Sequence, residues 1–267
     1  MQRVKDFEEL TKWLTRGSAV RYWLDLRGLA MSKHMMLHLR SGTRFLCRSG
    51  TNDRAIIREI WTLDPYLIKK VVLRGQANII DLGANIGGFS VLAAVTHPNA
   101  VIYSYEPLPE SYGLLVRNAA INGCLNIRAY NLAVSGVPGD SLLCYSANRP
   151  GDSALLGESM DSGRARVKVR CVTFEQIITE NKIDVIDFLK IDIEGSEYNV
   201  LESLRPQLLS RVSYFAAECH RRPGGSVRQL TLQLERAGFV VDFSPASASA
   251  GMNNVGMLYA RKRETSS

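Results

Sequence analysis

The chain has 267 residues, which is enough for one large α/β domain with a full hydrophobic core. Apolar residues make up 46% and charged residues 22%, as in an ordinary globular protein, and no apolar run approaches the roughly 20 residues needed to span a bilayer. The net charge of +7 permits an anionic partner without demanding one, and no aromatic and basic RNA-binding motif accompanies it, which argues against nucleic acid. The five cysteines show no paired spacing, so the sequence indicates neither a disulfide framework nor a zinc site.

Residues 1–75 are predicted to form a mainly helical extension that contacts the substrate or a second copy of the chain. Its first 14 residues mix charged and apolar side chains like an amphipathic helix and lack the pattern of a signal peptide, so we expect a cytoplasmic protein. Helical patterns extend over 6–14, 20–29, 54–61 and 65–72, and a strand pair with its turn is predicted within 38–48.

Residues 78–90 begin the predicted cofactor-binding domain, which extends over residues 76–263. A short apolar run bounded by Gly75 and Gly83 predicts a buried parallel strand. The glycines that follow predict a tight turn and then a helix that begins near Gly87. Backbone amides at the start of such a helix point at whatever lies above the strand, so this unit is typical of a ligand-binding site.

The residues at this turn distinguish between two classes of cofactor. A dinucleotide fingerprint needs glycine where this chain has Asn85, because only glycine lets the backbone approach a pyrophosphate. Asp81 is awkward beside a diphosphate but suits a ligand with an ammonium group. The pattern therefore favours S-adenosylmethionine, with a nicotinamide-dependent oxidoreductase as the alternative. The cofactor contacts predicted from this stretch are Asp81, Gly83, Ala84, Asn85, Gly87, Phe89 and Ser90.

The next two strands add further predicted cofactor contacts. A strand over 101–105 ends at Glu106 and Pro107, and a helix over 109–122 follows it. A carboxylate at this position can accept both hydroxyl protons of an adenosine ribose. A third strand over 127–132 leads to Ala133, which is expected to pass beside the adenine.

Residues 136–172 interrupt the regular alternation of strands and helices. Segments 141–145 and 165–172 alternate like hairpin strands, on either side of a polar loop predicted over 148–163. A long polar insertion beside the cofactor predicts a lid.

Two later strands end in further carboxylates. One leads into Asp192 and Glu194, and the other, over 212–217, leads into Glu218, Cys219 and His220. Because the carboxyl ends of parallel strands share one edge of the sheet, we expect these side chains to meet Asp81 and Glu106 in one cleft. The chain then closes with a helix over 226–237 and strands over 239–243 and 257–260, which are predicted to be antiparallel neighbours.

These motifs together resemble the FkbM family of S-adenosylmethionine-dependent methyltransferases, over roughly residues 79–261. The resemblance rests on the run 81–90, Glu106 with Pro107, Asn122, the block 189–197 (LKIDIEGSE) and Glu218-Cys219-His220. It implies the α/β class I, Rossmann-like methyltransferase fold, in which a seven-stranded, mostly parallel sheet has an antiparallel last strand. It also implies O-methylation of a hydroxyl on a small-molecule or glycan acceptor, such as a sugar, a glycolipid or a polyketide-type natural product. An RNA-directed methyltransferase is the alternative within this class.

Methyl transfer to a hydroxyl requires alignment of the reacting atoms and a group that takes the proton. His220 is the predicted general base because the unperturbed pKa of imidazole lies near neutrality. Asp192 is the second candidate, because it ends the strand nearest the inferred methyl group. Alternatively, a divalent cation such as Mg²⁺ lies in this cleft, since oxygen ligands with one imidazole suit Mg²⁺ or Mn²⁺. Its predicted ligands are Asp192, Glu194, Glu218 and His220.

Overall fold

The amino-terminal extension consists of three helices and one β-hairpin in the computed structural model, which describes residues 2–30, 32–155, 165–220, 225–246 and 254–263. Its elements are α1 (Gln2–Trp13), α2 (Arg16–Asp25), β1 (His34–His38), β2 (Arg44–Arg48) and α3 (Asp53–Leu63). Helix α3 ends at Asp64, whose φ is 48° and whose carboxylate accepts hydrogen bonds from the amides of Ile68 and Lys69. The helix predicted over 65–72 is wrong: these residues form turns, because the Asp64 side chain takes up the amides with which a helix would begin.

The rest of the described chain alternates strands and helices and then ends in two strands. In chain order its elements are β3 (Asn78–Leu82), α4 (Gly88–Thr96), β4 (Val101–Tyr105), α5 (Pro109–Ile121), β5 (Ile127–Tyr130), β6 (Ala133–Val134), β7 (Gly139–Ser146), β8 (Arg149–Leu155), β9 (Ala165–Val172), α6 (Phe174–Asn181), β10 (Ile186–Ile191), α7 (Glu197–Ser203), α8 (Pro206–Leu209), β11 (Val212–His220), α9 (Val227–Arg236), β12 (Phe239–Pro245) and β13 (Asn254–Lys262). Among these described elements, no helix is both long and apolar enough to cross a bilayer.

Seven of the strands form the central sheet, in the order β12-β13-β11-β10-β3-β4-β5. The pairs from β11 to β5 are parallel. Strand β13 instead runs antiparallel to both of its neighbours, β11 and β12. The predicted α/β fold with a reversed last strand is therefore confirmed.

Apolar side chains cover both faces of this sheet. On one face, Ile79 packs in a core that also contains Phe89 of α4 and Phe45 of the extension. On the other face, Ile80 and Leu189 pack against α6, α7 and α9. Neighbouring residues of a strand point to opposite faces, which explains why the parallel strands are apolar along their whole length. The extension shares one continuous core with the sheet. The predicted boundary between the extension (1–75) and the cofactor-binding domain (76–263) stays a prediction.

The insertion at 136–172 contributes a second, four-stranded sheet in the order β6-β9-β7-β8. The predicted strands over 141–145 and 165–172 pair antiparallel as β7 and β9. The polar loop predicted over 148–163 is wrong for residues 149–155, which form β8 and pair with β7, while 156–164 lie outside the described residues. Leu155 pairs with Leu143, and both side chains are buried. The glycine, aspartate and serine content of this stretch is typical of a loop and does not indicate such a buried pair.

Candidate active site

A cavity of about 690 Å³ opens at the carboxyl ends of the parallel strands. Glu106 lines it after β4, Asp192 and Glu194 line it after β10, and Glu218 and His220 line it at the end of β11. These side chains come from distant parts of the sequence and meet because the strands are parallel. The volume is within the range of pockets that hold a cofactor-sized ligand.

The turn after β3 is built around Gly83. The φ of Gly83 is 80°, and a Cβ atom there would lie 1.7 Å from the backbone oxygen of Asp192. The amides of Gly83 and Ala84 both donate to the carbonyl of Tyr105, at 3.0 and 2.9 Å. The turn is therefore held between β4 and β10, and only glycine fits at its tightest point.

Asp81 is fully buried beneath this turn. Its Oδ2 accepts a hydrogen bond from the Ser90 hydroxyl at 2.6 Å, and its Oδ1 lies 3.0 Å from the Lys190 Nζ. Lys190 also donates to the carbonyl of Gly83 at 2.6 Å. Asp81 is not among the residues that line the cavity, and its contact with an ammonium group of the cofactor stays a prediction. Lys190 neutralises this carboxylate, and the pair supports the turn from below.

Lys190 is a fixed cation at the floor of the site. Burial by itself would lower the pKa of Lys190, but Asp81 and Asp192 more than offset that effect, so the pKa is raised. Its Nζ lies 3.5 Å from Asp192 Oδ2, and the same oxygen accepts a hydrogen bond from the Tyr66 hydroxyl at 2.7 Å. The Asp192 carboxylate therefore has one hydrogen-bond donor, Tyr66, and one nearby cation, Lys190.

Glu106 lies buried at the end of β4, between two backbone amides. Its Oε2 accepts from Asn85 at 2.7 Å and its Oε1 accepts from Leu108 at 2.8 Å. Burial raises the pKa of Glu106 to about 7, and these two hydrogen bonds oppose the shift. Each carboxylate oxygen has a further lone pair, so Glu106 can still accept hydroxyl groups from a ligand in the cavity.

Most of the cofactor contacts predicted from the sequence line the cavity. Gly87 and Ser90, like Asp81, lie outside its lining. A Cβ at Gly87 would lie 2.7 Å from the side chain of Leu115, so Gly87 permits close packing of the turn on α5. Asp81, Gly87 and Ser90 therefore shape the turn and do not line the cavity. The predicted residues that line the cavity are Gly83, Ala84, Asn85, Phe89, Glu106, Pro107, Ala133 and Asp192.

His220 is held by a carboxylate at the start of α7. Its Nδ1 lies 2.8 Å from Glu197 Oε1, and its Nε2 lies 3.5 Å from Glu194 and 3.8 Å from Glu218. Burial by itself would lower the pKa of His220, but Glu197 chiefly, followed by Glu194 and Asp192, raises it well above the usual value. The role of His220 as general base stays a prediction.

The two glutamates beside His220 differ from ordinary surface carboxylates. Burial raises the pKa of Glu194 and that of Glu218 to about 8, Asp192 adds to both shifts, and His220 opposes them. Glu194 also has a φ of 50°, a conformation that is costly for a residue with a side chain and that is found most often at functional sites. The loop after β10 therefore holds Glu194 at the cavity although a positive φ is unfavourable for glutamate.

Two walls of the cavity come from segments that sequence motifs did not mark. Asn52, Glu59 and Tyr66 line it from the extension, and Arg149 and Asp152 line it from β8. Asn52 Nδ2 donates to Asp152 Oδ1 at 3.1 Å, so the extension and the insertion meet at the rim. The sequence predicts that the extension contacts the substrate and that the insertion lies beside the cofactor, but no motif marks these five residues.

The lining fits S-adenosylmethionine. Asn85 presents a buried Oδ1 that has no hydrogen-bond partner within the described ranges, at the turn where the ligand is expected. Glu106 can take the ribose hydroxyls, and the excess of carboxylates over Lys190, Arg149 and His220 suits a sulfonium cation. The close packing at Gly83 leaves backbone rather than side chain facing the ligand.

Comparisons with known proteins identify the family. The family model "Methyltransferase FkbM domain" matches residues 81–241. "Methyltransferase sdnD" from Sordaria araneosa is 29% identical over 78% of this chain and 90% of its own. "31-O-demethyl-FK506 methyltransferase FkbM" from Streptomyces tacrolimicus is 28% identical over 77% of this chain and 88% of its own. "Hexuronic acid methyltransferase AglP" from Haloferax volcanii is 23% identical over 75% of this chain and 80% of its own.

This match excludes the nicotinamide-dependent oxidoreductase that the glycine turn left open. The family model covers more than half of the chain, and the motifs behind the predicted resemblance fall almost entirely inside it. The chain belongs to the FkbM family of S-adenosylmethionine-dependent methyltransferases.

Proposed function

We propose that this protein transfers a methyl group from S-adenosylmethionine to a hydroxyl of a sugar, a glycolipid or a polyketide-type natural product. The observation that carries the proposal is that one cavity is lined by two sets of polar groups, which follow different strands. We assign Glu106 and Asn85 to a cofactor end, and we assign Asp192, Glu194 and His220, which can bind or deprotonate a hydroxyl, to an acceptor end. The names of two relatives refer to 31-O-demethyl-FK506 and to a hexuronic acid, which supports a hydroxylated acceptor.

The acceptor side of the cavity suits a ligand with several hydroxyl groups. Asn52, Glu59, Arg149 and Asp152 offer both donors and acceptors along its walls. The basic residues of the chain are concentrated in residues 1–75, which contain 15 Lys and Arg against 7 Asp and Glu. Few of them line the cavity, where carboxylates outnumber Arg149, Lys190 and His220. The cleft therefore lacks the basic lining that an RNA backbone would need, which disfavours the RNA-directed alternative.

When bound, S-adenosylmethionine supplies a methyl group on a sulfonium that is a good leaving group. Held by Glu106 and Asn85, it would give this methyl group to the acceptor oxygen and keep the electron pair of its C–S bond, and the hydroxyl proton would pass to the protein. We assign that proton to the ionised form of Glu194, because Glu194 lines the cavity and the His220 Nε2 lies 3.5 Å from its carboxylate. The pKa of Glu194 is raised to about 8, so its ionised fraction grows as the pH rises above neutral. Asp192 is not assigned the proton, because its Oδ2 already accepts a hydrogen bond from Tyr66.

A labelled methyl donor tests this function. Purified protein is incubated with S-adenosylmethionine carrying a deuterated methyl group and with a panel of hydroxylated compounds that includes D-glucuronic acid, and products are analysed by mass spectrometry. We expect one labelled methyl group on an acceptor oxygen. A label found only on nitrogen, sulfur or RNA would contradict O-methylation.

Cofactor affinity should depend on pH through Glu106. The pKa of this carboxyl is raised to about 7, and only the ionised form leaves all its oxygen lone pairs available to two ribose hydroxyls. Affinity should therefore rise with pH and be about tenfold weaker at pH 6 than at pH 8, as follows from the ionised fractions. Isothermal titration calorimetry across this range measures the effect. Glu106→Gln should bind weakly at every pH, and an unchanged slope in that variant would assign the dependence to another group.

We also propose a divalent cation at the acceptor end. Asp192, Glu218 and His220 can each present one ligand atom, and these atoms lie within 4.8 Å of one another. Glu197 holds the other imidazole nitrogen, as second-shell carboxylates do for metal-binding histidines. Glu194, the fourth predicted ligand, is not part of this group and is left to take the proton. A cation here would displace the proton of His220 and lower the pKa of an acceptor hydroxyl.

Mn²⁺ is a direct probe of this group. Electron paramagnetic resonance titration should show one bound Mn²⁺ per chain in the parent and none at the same concentration in Asp192→Asn. Methyl transfer should fall at least about tenfold after chelation and return with Mg²⁺. Full activity after chelation, together with no bound Mn²⁺, would exclude the cation.

A further inference from the structure

Tyr66 lies outside the part of the chain that matches the family model, yet its side chain reaches the reaction centre. It belongs to the turn that follows α3 and is 4% exposed. Its hydroxyl donates to Asp192 Oδ2 at 2.7 Å. The extension therefore contributes a polar group to a site whose other members come from the strand ends of the family domain.

The turn that carries Tyr66 is held from both sides. Asp64 accepts hydrogen bonds from the amides of Ile68 and Lys69, which fixes the backbone around it. From the far end of the chain, the Tyr259 hydroxyl of β13 donates to the carbonyl of Pro65 at 2.6 Å. The position of Tyr66 is thus set by the fold and does not depend on a ligand.

The ring of Tyr66 is also fixed by its neighbours. It packs edge-to-face against Phe89, with ring centroids 5.3 Å apart, and the Lys190 Nζ lies 5.2 Å from its centre. A carboxylate can only accept, so the Tyr66 hydroxyl is the donor of its hydrogen bond to Asp192.

We propose that Tyr66 is a positioning residue for methyl transfer: its hydroxyl fixes the Asp192 carboxylate so that the second oxygen, Oδ1, faces the acceptor end of the cavity. This rests on the proposed function of that end. Lys190 lies 3.5 Å from the same Asp192 oxygen, a distance too long to orient the carboxylate alone, whereas the Tyr66 contact is a full hydrogen bond. The extension thus completes the reaction centre as well as lining its wall.

The variant Tyr66→Phe tests this with little change in packing, because the ring and its contacts stay. Tyr130→Phe is the matched control, since Tyr130 donates to Asn181 at 2.5 Å and does not line the cavity. With D-glucuronic acid as the acceptor probe, kcat should fall about tenfold to a hundredfold in Tyr66→Phe, while the KM for S-adenosylmethionine and the kcat of the control stay within about twofold. Added to Asp192→Asn, the Tyr66→Phe change should have no further effect, because the two residues act as one unit.

Crystal structures of the parent and of Tyr66→Phe with S-adenosylhomocysteine give a readout that needs no acceptor. We expect the Asp192 carboxylate to rotate in the variant while the Gly83 turn stays in place. An unchanged Asp192, an equal loss of kcat in Tyr130→Phe, or a full additional loss in the double variant would overturn the proposal. Failure of the parent to bind S-adenosylhomocysteine would instead count against the proposed function.

Discussion

Glu194→Gln is expected to lower kcat for methyl transfer by roughly 10²- to 10⁴-fold, the range usual for loss of a general base. Glutamine keeps the size of the side chain but cannot take a proton from the acceptor hydroxyl. Glu194 follows β10 and Glu106 follows β4, with β3 between these two strands, so we expect the dissociation constant for S-adenosylmethionine to change by less than about threefold. Single-turnover assays with an acceptor found in the labelled-donor screen would measure the rate, and calorimetry would measure the affinity.

The matched control for this change is Glu202→Gln, which removes a carboxylate of the same type from an exposed position on α7. It should leave both kcat and affinity unchanged. If Glu194→Gln retained the activity of the parent, the proton would pass elsewhere, and Glu218 would become the group to test.

Lys190→Met should destabilise the protein by about 3–5 kcal/mol, the usual cost of leaving a buried charge without its partner. Asp81 is fully buried and its Oδ1 is within 3.0 Å of the Lys190 Nζ, so methionine would leave the carboxylate uncompensated. The lost hydrogen bond to the Gly83 carbonyl would also release the turn that faces the cofactor. For a domain of this size, the melting temperature should fall by roughly 8–15 °C.

The double variant Asp81→Asn/Lys190→Met separates charge from packing. Removing both charges should recover more than half of the lost stability, since an amide can still accept the hydrogen bond from Ser90. Thermal unfolding followed by circular dichroism would measure all three variants. A double variant less stable than Lys190→Met would show that the pair is not the source of the effect.

The sequence was sufficient to predict the fold and the edge of the sheet that holds the site. Parallel strands impose one shared edge, so Glu106, Asp192 and His220 could be placed together from strand order alone. The reversed last strand followed from two adjacent strand patterns near the end of the chain. These are properties of backbone topology, which the apolar pattern of each strand strongly constrains.

The partners of individual side chains could not be predicted in this way. The carboxylate of Asp81 suggested a cofactor ligand, and the sequence did not show that its Oδ1 would lie 3.0 Å from the Lys190 Nζ of the neighbouring strand. The imidazole of His220 suggested a base, and the sequence did not show that Glu197 would lie 2.8 Å from its Nδ1. Such contacts are set by the register between strands and by helix starts, which no spacing in the sequence reveals.

The walls of the cavity were the least predictable part. Residues 65–72 have a helical pattern, and the capping of Ile68 and Lys69 by Asp64 turns the chain instead, which brings Tyr66 to Asp192. Strand β8 has the composition of a loop and forms because β7 offers a partner edge. Both outcomes depend on tertiary contacts that override local propensity.

A cocrystal structure with S-adenosylhomocysteine tests the central claim most directly, because the claim concerns where the cofactor lies in the cavity. The structure predicts the two ribose hydroxyls within hydrogen-bond distance of the Glu106 carboxylate and the homocysteine part above the Gly83-Ala84-Asn85 turn. Its sulfur should point toward Asp192 and Glu194. A ligand bound elsewhere, or with its ribose away from Glu106, would contradict the account.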